Sequence, residues 1–348
     1  MSPEHNTAPV TPPNQAAEGR ADAVQRSAQQ ILARLYTPIV AELKQVEEMY
    51  RRELSSDDEY IANLLEYIED YSGKKLRPAL LLLAGKACGK LSQDHIILGV
   101  VAEMLHTATL VHDDILDDAL LRRKRASINK LAGNEVSVLL GDHIFSHAFE
   151  ISLECTTPVG AREFSRAMAR TCFGEIMQVH NRNNFELTEP KYFDIIEGKT
   201  AELYATSAML GAHYAGANEA VCRAFYDYGM NLGRAFQIMD DLLDMIGEES
   251  LVGKTLGSDV DKGKPTLPLI HHLAQVQEPA RKKALDAAST GDRKTLMDLL
   301  HETKSFKYAA AKANAYVASA KKGLEVLPAG EMRDLLNEVA DFVLSREL

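Results

Sequence analysis

Two aspartate motifs are the clearest candidates for functional residues in this sequence. In the stretch HTATLVHDDILD, Asp113, Asp114 and Asp117 follow an apolar, helix-like lead-in. Residues four apart share a helix face, so Asp113 and Asp117 would stand one above the other. Packing does not require two such carboxylates, whereas Mg²⁺ is typically held by one or two carboxylates together with substrate phosphates. This first acidic motif indicates a magnesium site, and a solvated acidic helix face is the alternative for one motif alone.

The same spacing returns later in the chain. Asp240, Asp241 and Asp244 form the sequence DDLLD after another apolar helical run, and we call them the second acidic motif. A second copy strongly disfavours a chance acidic face. If the two motifs face each other, they could hold several metal ions around one diphosphate.

Basic residues cluster at a predicted helix junction, in GKKLRP at residues 73–78. Glycine can end one helix and proline suits the first turn of the next. The macrodipole disfavours cations at a helix start, so a bound anion would explain Lys74, Lys75 and Arg77 there. The alternative is an ordinary solvated basic turn.

Other polar residues flank the first acidic motif. His106 lies two turns before Asp113 on nearly the same face, where a core histidine satisfied by one hydrogen bond is the alternative to a ligand. Arg122 and Arg123 follow the motif and project in different directions, so they could bind different anions.

Two later segments could also contact phosphate. Gly198 interrupts a helical pattern and predicts a local break that turns Lys199 and Thr200 inward. Residues 247–264 are rich in Gly, Lys and Asp and could form a mobile lid that brings Lys254 and Lys264 over a phosphate. A flexible surface loop is the alternative for this segment.

Composition limits the possible partners. The chain has 348 residues, 46% of them hydrophobic, and a net charge of −11, which argues against a nucleic-acid partner. Its four cysteines form no close pairs, as in a reduced cytoplasmic protein. The longest apolar runs, such as Ile96 to Ala102, are too short to span a bilayer.

Helical spacing extends along almost the whole chain. Residues 1–22 are rich in Pro, Asn, Thr and Ala and predict a flexible tail. From residue 23 to 348 the apolar residues recur with helical spacing, as in Ile61, Leu64, Leu65 and Ile68, and no segment shows sustained strand alternation. We predict an all-α protein.

Taken in order, the motifs resemble those of the trans-type polyprenyl diphosphate synthases of the isoprenoid synthase superfamily. The order is GKKLRP, HTATLVHDDILD, RR, GEIMQ, GKTA, FQIMDDLLD and GKPTLP, over roughly residues 60 to 275. The resemblance is greatest to the octaprenyl and solanesyl-type synthases. It implies a single-domain, all-α helical bundle around a central cavity, over residues 23–348.

The resemblance implies repeated head-to-tail condensation of isopentenyl diphosphate with an allylic diphosphate. By analogy, the ligands of several Mg²⁺ ions would be Asp113, Asp117, Asp240 and Asp244, and Asp114 and Asp241 complete the two catalytic motifs. The allylic diphosphate would be bound by Arg122, Lys199, Thr200, Gln237, Lys254 and Lys264. Isopentenyl diphosphate would be bound by Lys74, Arg77, His106 and Arg123. The family also implies a homodimer, with a weak peripheral membrane contact for product release.

In the family that the chain resembles, product length depends on the helix before the first acidic motif. Ala108 and Thr109 stand one turn above Asp113, where family members with short products tend to have an aromatic floor. Met104 and Leu105, one turn deeper, could obstruct the channel partly. We predict a long-chain product, and a farnesyl- or geranylgeranyl-length product is the alternative.

Some residues depart from the family pattern. Lys124, Arg125, Ala126 and Ser127 replace the usual Gly and Pro-Thr, and Ser72 replaces a Gly, all beside the isopentenyl site. A terpene cyclase would share the first acidic motif, yet it would not need the second diphosphate site. A catalytically silent subunit would be expected to lack motif aspartates that this chain retains.

Overall fold

The computed structural model describes residues 30–69, 71, 73–123, 125–246 and 258–345. Helices make up most of these residues, which confirms the predicted all-α class. The strands within the described ranges are β1 (Leu121–Arg122) and β2 (Arg125–Ala126), an antiparallel pair of two residues each. This small hairpin directly follows the first acidic motif.

Most of the described connections between helices are short. A helical segment at residues 30–36 and a 3₁₀ turn (Thr37–Ile39) come first. The helices are then α1 (Val40–Glu53), α2 (Glu59–Glu69), α3 (Leu76–Cys88), α4 (Gln93–Leu116), α5 (Ile128–Ala132), α6 (Asn134–Ser152), α7 (Val159–His180), α8 (Glu189–Ile196), α9 (Glu202–Tyr214), α10 (Glu219–Ile246), α11 (Ser258–Asp261), α12 (Leu267–Gln275), α13 (Ala280–Thr290), α14 (Arg293–Glu302), α15 (Ser305–Gly323) and α16 (Glu331–Leu344).

Helix α4 is the centre of the bundle. It packs against α3 and α6, α3 packs against α9, and α10 lies between α9 and α15. By length and composition α4 could cross a membrane, but 78% of its most apolar window is buried inside the protein. Its apolar character on nearly all sides therefore reflects a core helix surrounded by other helices.

Small residues allow the central helices to approach closely. A methyl group on Gly229 of α10 would lie 2.6 Å from the Tyr204 carbonyl oxygen of α9. Only glycine permits this backbone contact, which sets the separation of α9 and α10.

One buried apolar cluster extends from Leu32 to Val343. This continuity is what a single helical domain requires. The predicted flexible tail, residues 1–22, lies outside the described residues.

Candidate active site

Both acidic motifs lie at the C-terminal ends of core helices. Asp113 is in the last turn of α4, and Asp117 caps the helix with its N–H 2.9 Å from the Asp113 carbonyl oxygen. The second acidic motif occupies the last two turns of α10. Helix C-termini carry partial negative charge, so carboxylates there are unfavourable unless cations compensate them.

Lys199 is one compensating cation, and it lies between the two motifs. Its Nζ donates a 2.6 Å hydrogen bond to Gln178 Oε1. Burial would lower the pKa of the Lys199 ammonium, yet the net shift is upward because carboxylates surround it. These belong to Glu175, Asp241, Asp259 and Asp113. Lys199 thus remains charged and interacts electrostatically with both acidic motifs.

A π-helical turn, Glu197–Ala201, positions this lysine between α8 and α9. It provides the break expected at Gly198. The turn packs backbone to backbone on α7, because Gly174 approaches the Lys199 amide, and Thr171 Oγ1 donates to the Gly198 carbonyl oxygen at 3.2 Å. A π turn within helical structure is frequently found at functional sites.

The Gly174→Ala substitution tests this close approach. The added methyl group would lie 2.5 Å from the Lys199 backbone nitrogen, so α7 and the π turn must separate. We expect a loss of about 1–3 kcal/mol of stability and a roughly hundredfold lower rate of product formation, because a displacement of about 1 Å can cost that much. Thermal melting and steady-state assays measure the two effects. Gly323→Ala is the matched control, since its methyl group would meet only an ordinary 3.9 Å contact; equal effects in both variants would contradict the positioning role.

The two leading aspartates of the first motif have different environments. Burial and the negative charge of Glu175 raise the pKa of Asp113 to about 7. Asp114 is buried and accepts from Arg122, whose Nε and Nη2 lie 2.9 and 2.7 Å from its Oδ1. The Arg122 guanidinium also lies over the Tyr71 ring at 5.5 Å. Asp114 therefore fixes Arg122, whereas Asp113 lacks a full compensating charge.

Asp117 is held by three cations. Arg182 Nη2 donates to its Oδ1 at 3.1 Å. Lys264 and Lys262 approach its Oδ2 at 2.9 and 3.4 Å. Burial would raise the pKa of Asp117, yet these lysines shift it below its ordinary value.

Asp241 of the second motif is at the centre of a buried hydrogen-bond network. Tyr192 donates to its Oδ2 at 2.6 Å, and the Gln237 amide donates to its Oδ1 at 2.7 Å. Thr200 in turn donates to Gln237 Oε1 at 2.7 Å. Burial is the main reason that the pKa of Asp241 rises to about 7. Asp244 is also buried, and its Oδ2 accepts the Asp259 N–H at 3.0 Å.

Removing the Tyr192 hydroxyl should perturb this network. In Tyr192→Phe, Asp241 loses one of the two donors found among the described residues, and we expect a roughly tenfold lower turnover and a changed metal concentration for half-maximal activity. A steady-state magnesium titration measures both quantities. Tyr226→Phe is the matched control, because its hydroxyl also donates to a carboxylate, that of Glu202, at 2.8 Å. Wild-type kinetics in Tyr192→Phe would refute the role of this hydroxyl.

A small cavity opens beside Asp241 of the second acidic motif. Its lining includes Tyr192, Lys199, Asp241, Asp259 and Lys264. The cavity is therefore lined by both cations and carboxylates, as a site for a metal-bound anion would be.

A second group of cationic residues surrounds His106. Burial lowers the pKa of His106 well below its ordinary value, and guanidinium groups lower it further, so the imidazole is neutral. These groups belong to Arg77, Arg122 and Arg123. Any side chain on Gly73 would overlap the Arg123 guanidinium, which places the GKKLRP segment against this residue.

The other basic residues of that segment differ in their contacts. Arg77 stacks over the Tyr204 ring at 4.5 Å, while its buried Nε has no hydrogen-bond partner among the described residues. Lys74 lies over the Phe342 ring at 5.1 Å. Lys75 adopts a left-handed conformation and pairs with Glu47 at 2.6 Å. The Lys75 side chain is therefore engaged in an ion pair within the protein, whereas the Nε donor of Arg77 could bind an anion.

The residues present fit a hard divalent cation. Their donors are carboxylate oxygens, and Asp113 carries a raised pKa that a neighbouring cation would relieve. Within the described ranges, no three His, Cys, Asp or Glu side chains converge on one ion position. Oxygen atoms of a diphosphate could complete such a coordination shell.

The predicted chain-length residues divide into two groups. Met104, Leu105 and Ala108 are fully buried within the bundle. Thr109 is partly buried, and its Oγ1 donates to the His106 carbonyl oxygen at 2.7 Å. Thr109, on the same face as Asp113, is therefore the residue of this set best placed beside a bound substrate.

Several residues near the motifs were not identified from the sequence. They are Glu175, Tyr192, Arg182 and Lys262. Only Glu175 lay within a motif used for the resemblance, GEIMQ, and the others follow from tertiary contacts. Predicted Lys254 lies outside the described residues.

Comparison with known proteins identifies the family of this chain. The sequence model of the polyprenyl synthetase family matches residues 58–303. The chain belongs to the polyprenyl synthetase family. The octaprenyl diphosphate synthase of Haemophilus influenzae is 33% identical to this polyprenyl synthetase over 309 residues, 88% of this chain and 94% of that protein. The short chain isoprenyl diphosphate synthase of Methanothermobacter thermautotrophicus is 34% identical over 305 residues, 85% of this chain and 94% of that protein.

A solved structure extends the comparison to the fold. The polyprenyl synthase of Caulobacter crescentus CB15, in complex with calcium and isoprenyl diphosphate, is 33% identical, with a TM-score of 0.85 over 91% of this chain and 97% of that one. The predicted isoprenoid synthase fold and trans-prenyltransferase class are confirmed. Prenyltransferases of the polyprenyl synthetase family act on isopentenyl diphosphate and an allylic diphosphate and generally use a divalent metal.

Proposed function

We propose that this polyprenyl synthetase makes a long-chain polyprenyl diphosphate by repeated head-to-tail condensation. The observation that carries the proposal is the position of Lys199, which interacts electrostatically with Asp113 of one motif and Asp241 of the other. Carboxylates of both acidic motifs thereby share one fixed cation. A diphosphate is the anion whose charge and oxygen donors suit that combination.

We assign several Mg²⁺ ions to the carboxylates of both motifs. The ligands would be Asp113, Asp117, Asp240 and Asp244. When bound, the ions supply positive charge that stabilises the departing diphosphate. Asp114 and Asp241 have a supporting role, because they hold Arg122 and Gln237 by hydrogen bonds.

The cations of the chain act on the leaving group. As the allylic C–O bond breaks, its electron pair moves to the diphosphate, and Lys199, Arg122 and Lys264 stabilise the growing negative charge. Lys254 would join them. Thr200 and Gln237, already bonded to each other, would orient the same group. Since these donors are fixed before reaction, little reorganisation is needed.

Isopentenyl diphosphate would bind beside His106. Arg77, Arg123 and Lys74 would bind its diphosphate, and the neutral imidazole would contribute one hydrogen bond. The isopentenyl double bond attacks the allylic cation, and the proton then lost passes to the released diphosphate. The apolar core of the bundle would exclude water from the cation.

The absence of an aromatic floor at Ala108 and Thr109 supports a long product, as does the similarity to an octaprenyl diphosphate synthase. The buried Met104 and Leu105 favour the second candidate, a farnesyl- or geranylgeranyl-length product, because they would lie across a deeper channel. The similarity to a short chain synthase also favours it.

Incubation with Mg²⁺, labelled isopentenyl diphosphate and farnesyl diphosphate tests the proposal, with chromatography of the dephosphorylated products. We expect a ladder that extends well beyond geranylgeraniol. A product series that ends at geranylgeraniol would indicate that Met104 or Leu105 blocks further elongation. No incorporation with any allylic primer would contradict a stand-alone enzyme and favour a silent or partner-dependent subunit.

We also propose a homodimer. Helices α6 and α7 expose several large apolar side chains, among them Leu139, Phe173 and Ile176, each more than 60% exposed. Patches of this kind mark interaction sites, and a second copy of the same chain is the simplest occupant.

The Phe173→Glu/Ile176→Glu double variant tests the dimer. Light scattering should give twice 38.4 kDa for the wild type and 38.4 kDa for the variant, because two buried charges per subunit would oppose association. Val40→Glu is the control, since Val40 is 64% exposed on a different helix. A wild-type monomer at micromolar concentration would refute the proposal.

A cytoplasmic location is supported by four unpaired cysteines. Leu120 and Leu121, both exposed beside the first acidic motif, could provide the weak membrane contact predicted for product release.

A further inference from the structure

Arg182 lies immediately beyond α7, opposite the end of α4. Its Nη2 donates to Asp117 Oδ1 and to the Leu116 carbonyl oxygen, each at 3.1 Å. The guanidinium group therefore lies at the first acidic motif, although Arg182 belongs to none of the sequence motifs.

Both oxygens of Asp117 are occupied by protein cations. Arg182 contacts Oδ1, and Lys262 and Lys264 contact Oδ2. Lys264 also lies 3.5 Å from Asp259. Among the described residues, three cations thus contact the carboxylates of Asp117 and Asp259. A metal ion that takes Asp117 would remove a counter-ion from all three and add two positive charges beside them.

This imbalance can be relieved by an anion that arrives with the metal. Arg182 can receive such an anion, because its buried Nε has no hydrogen-bond partner among the described residues. The planar guanidinium presents parallel N–H donors that match phosphate oxygens.

We propose that Arg182 binds diphosphate and makes metal binding at Asp117 conditional on diphosphate. Without diphosphate, Arg182 and the two lysines compete with the metal for Asp117. With diphosphate present, Arg182 transfers to the phosphate oxygens and the carboxylate is released to the metal. The proposal rests on the proposed function, because it assumes a diphosphate beside the first acidic motif.

Isothermal titration calorimetry with Mg²⁺ and inorganic diphosphate tests this coupling without any turnover. The measured quantity is the ratio of the Mg²⁺ dissociation constants without and with diphosphate. For the wild type we expect tighter Mg²⁺ binding when diphosphate is present. In Arg182→Gln the ratio should fall about tenfold, within the usual range for coupled sites, because Mg²⁺ alone binds more tightly and diphosphate binds more weakly.

Two further variants make the result specific. Arg182→Lys keeps the positive charge but lacks the parallel N–H donors of the guanidinium group. Its ratio of dissociation constants should therefore lie between those of the wild type and Arg182→Gln. Arg166→Gln, a change on an exposed part of α7 that pairs with Glu163, should leave the ratio unchanged. Thermal melting checks that each variant is folded.

The outcomes separate this proposal from the proposed function. An unchanged ratio in a folded Arg182→Gln variant would overturn the role of Arg182 while the diphosphate site stands. A wild type that binds no diphosphate, with or without Mg²⁺, would contradict the proposed function and this proposal together.

Discussion

Asp113→Asn should lower the rate of isopentenyl diphosphate incorporation about a thousandfold, because an amide cannot replace the charged carboxylate that we propose as a metal ligand. The same variant should be more stable than the wild type without metal. Asp113 is next to Glu175 and Asp117, and burial and these charges raise its pKa to about 7. Removing the charge removes that repulsion, as expected where stability has been sacrificed for function.

The pH dependence of this stability gain has a definite sign. A carboxyl whose pKa is raised on folding binds a proton in the folded state that the unfolded state has already lost. Its contribution to stability is therefore lost as pH rises from about 4 through about 7. Thermal melting of metal-free protein should show the advantage of Asp113→Asn growing from pH 5 to pH 8.

Asp118→Asn is the matched control for Asp113→Asn. Asp118 is exposed and has a φ of 46°, a conformation that asparagine also tolerates. It should retain near wild-type activity and stability. If both variants lose activity equally, a general loss of acidic charge rather than a metal ligand at Asp113 would be the cause.

Thr109→Phe should shorten the product to geranylgeranyl length or less. Thr109 shares a helix face with Asp113 and is partly exposed, so a phenyl ring there would occupy the space of the growing tail. The rate of the first condensation should change little, because the ring contacts neither diphosphate. Chromatography of the labelled products measures the length distribution.

Thr109→Val provides the control, since it removes the hydroxyl that bonds to the His106 carbonyl but adds no ring. Its product ladder should match that of the wild type. An unaltered ladder in Thr109→Phe would show that the tail does not pass this residue. At Ala108, which is fully buried, a phenyl ring would instead overpack the core at a cost of about 1–3 kcal/mol.

The sequence predicted the helical class and the acidic motifs because both depend on local spacing. Asp113 and Asp117 share a helix end as their separation requires, and Gly198 produces a break next to Lys199. The pairing of β1 with β2 was not predicted, since two-residue strands carry no measurable alternation.

Residues that act through tertiary contacts could not be found in this way. Tyr192 reaches Asp241 across 49 positions and Arg182 reaches Asp117 across 65. One is a tyrosine in a short helix and the other an arginine just beyond a helix end. Nothing in the local sequence distinguishes either residue from a structural or surface residue. Asp114 was assigned a catalytic role from its motif, and only the fold identifies Arg122 as its partner.

The most direct test of the account is a crystal structure with Mn²⁺ and a non-reactive thio-analogue of farnesyl diphosphate. The anomalous signal of Mn²⁺ distinguishes each ion from an ordered water molecule. We expect ions on both acidic motifs, bridged by one diphosphate that Lys199 contacts. Ions on only one motif, or a diphosphate bound away from Lys199, would contradict the claim that the two motifs form one site.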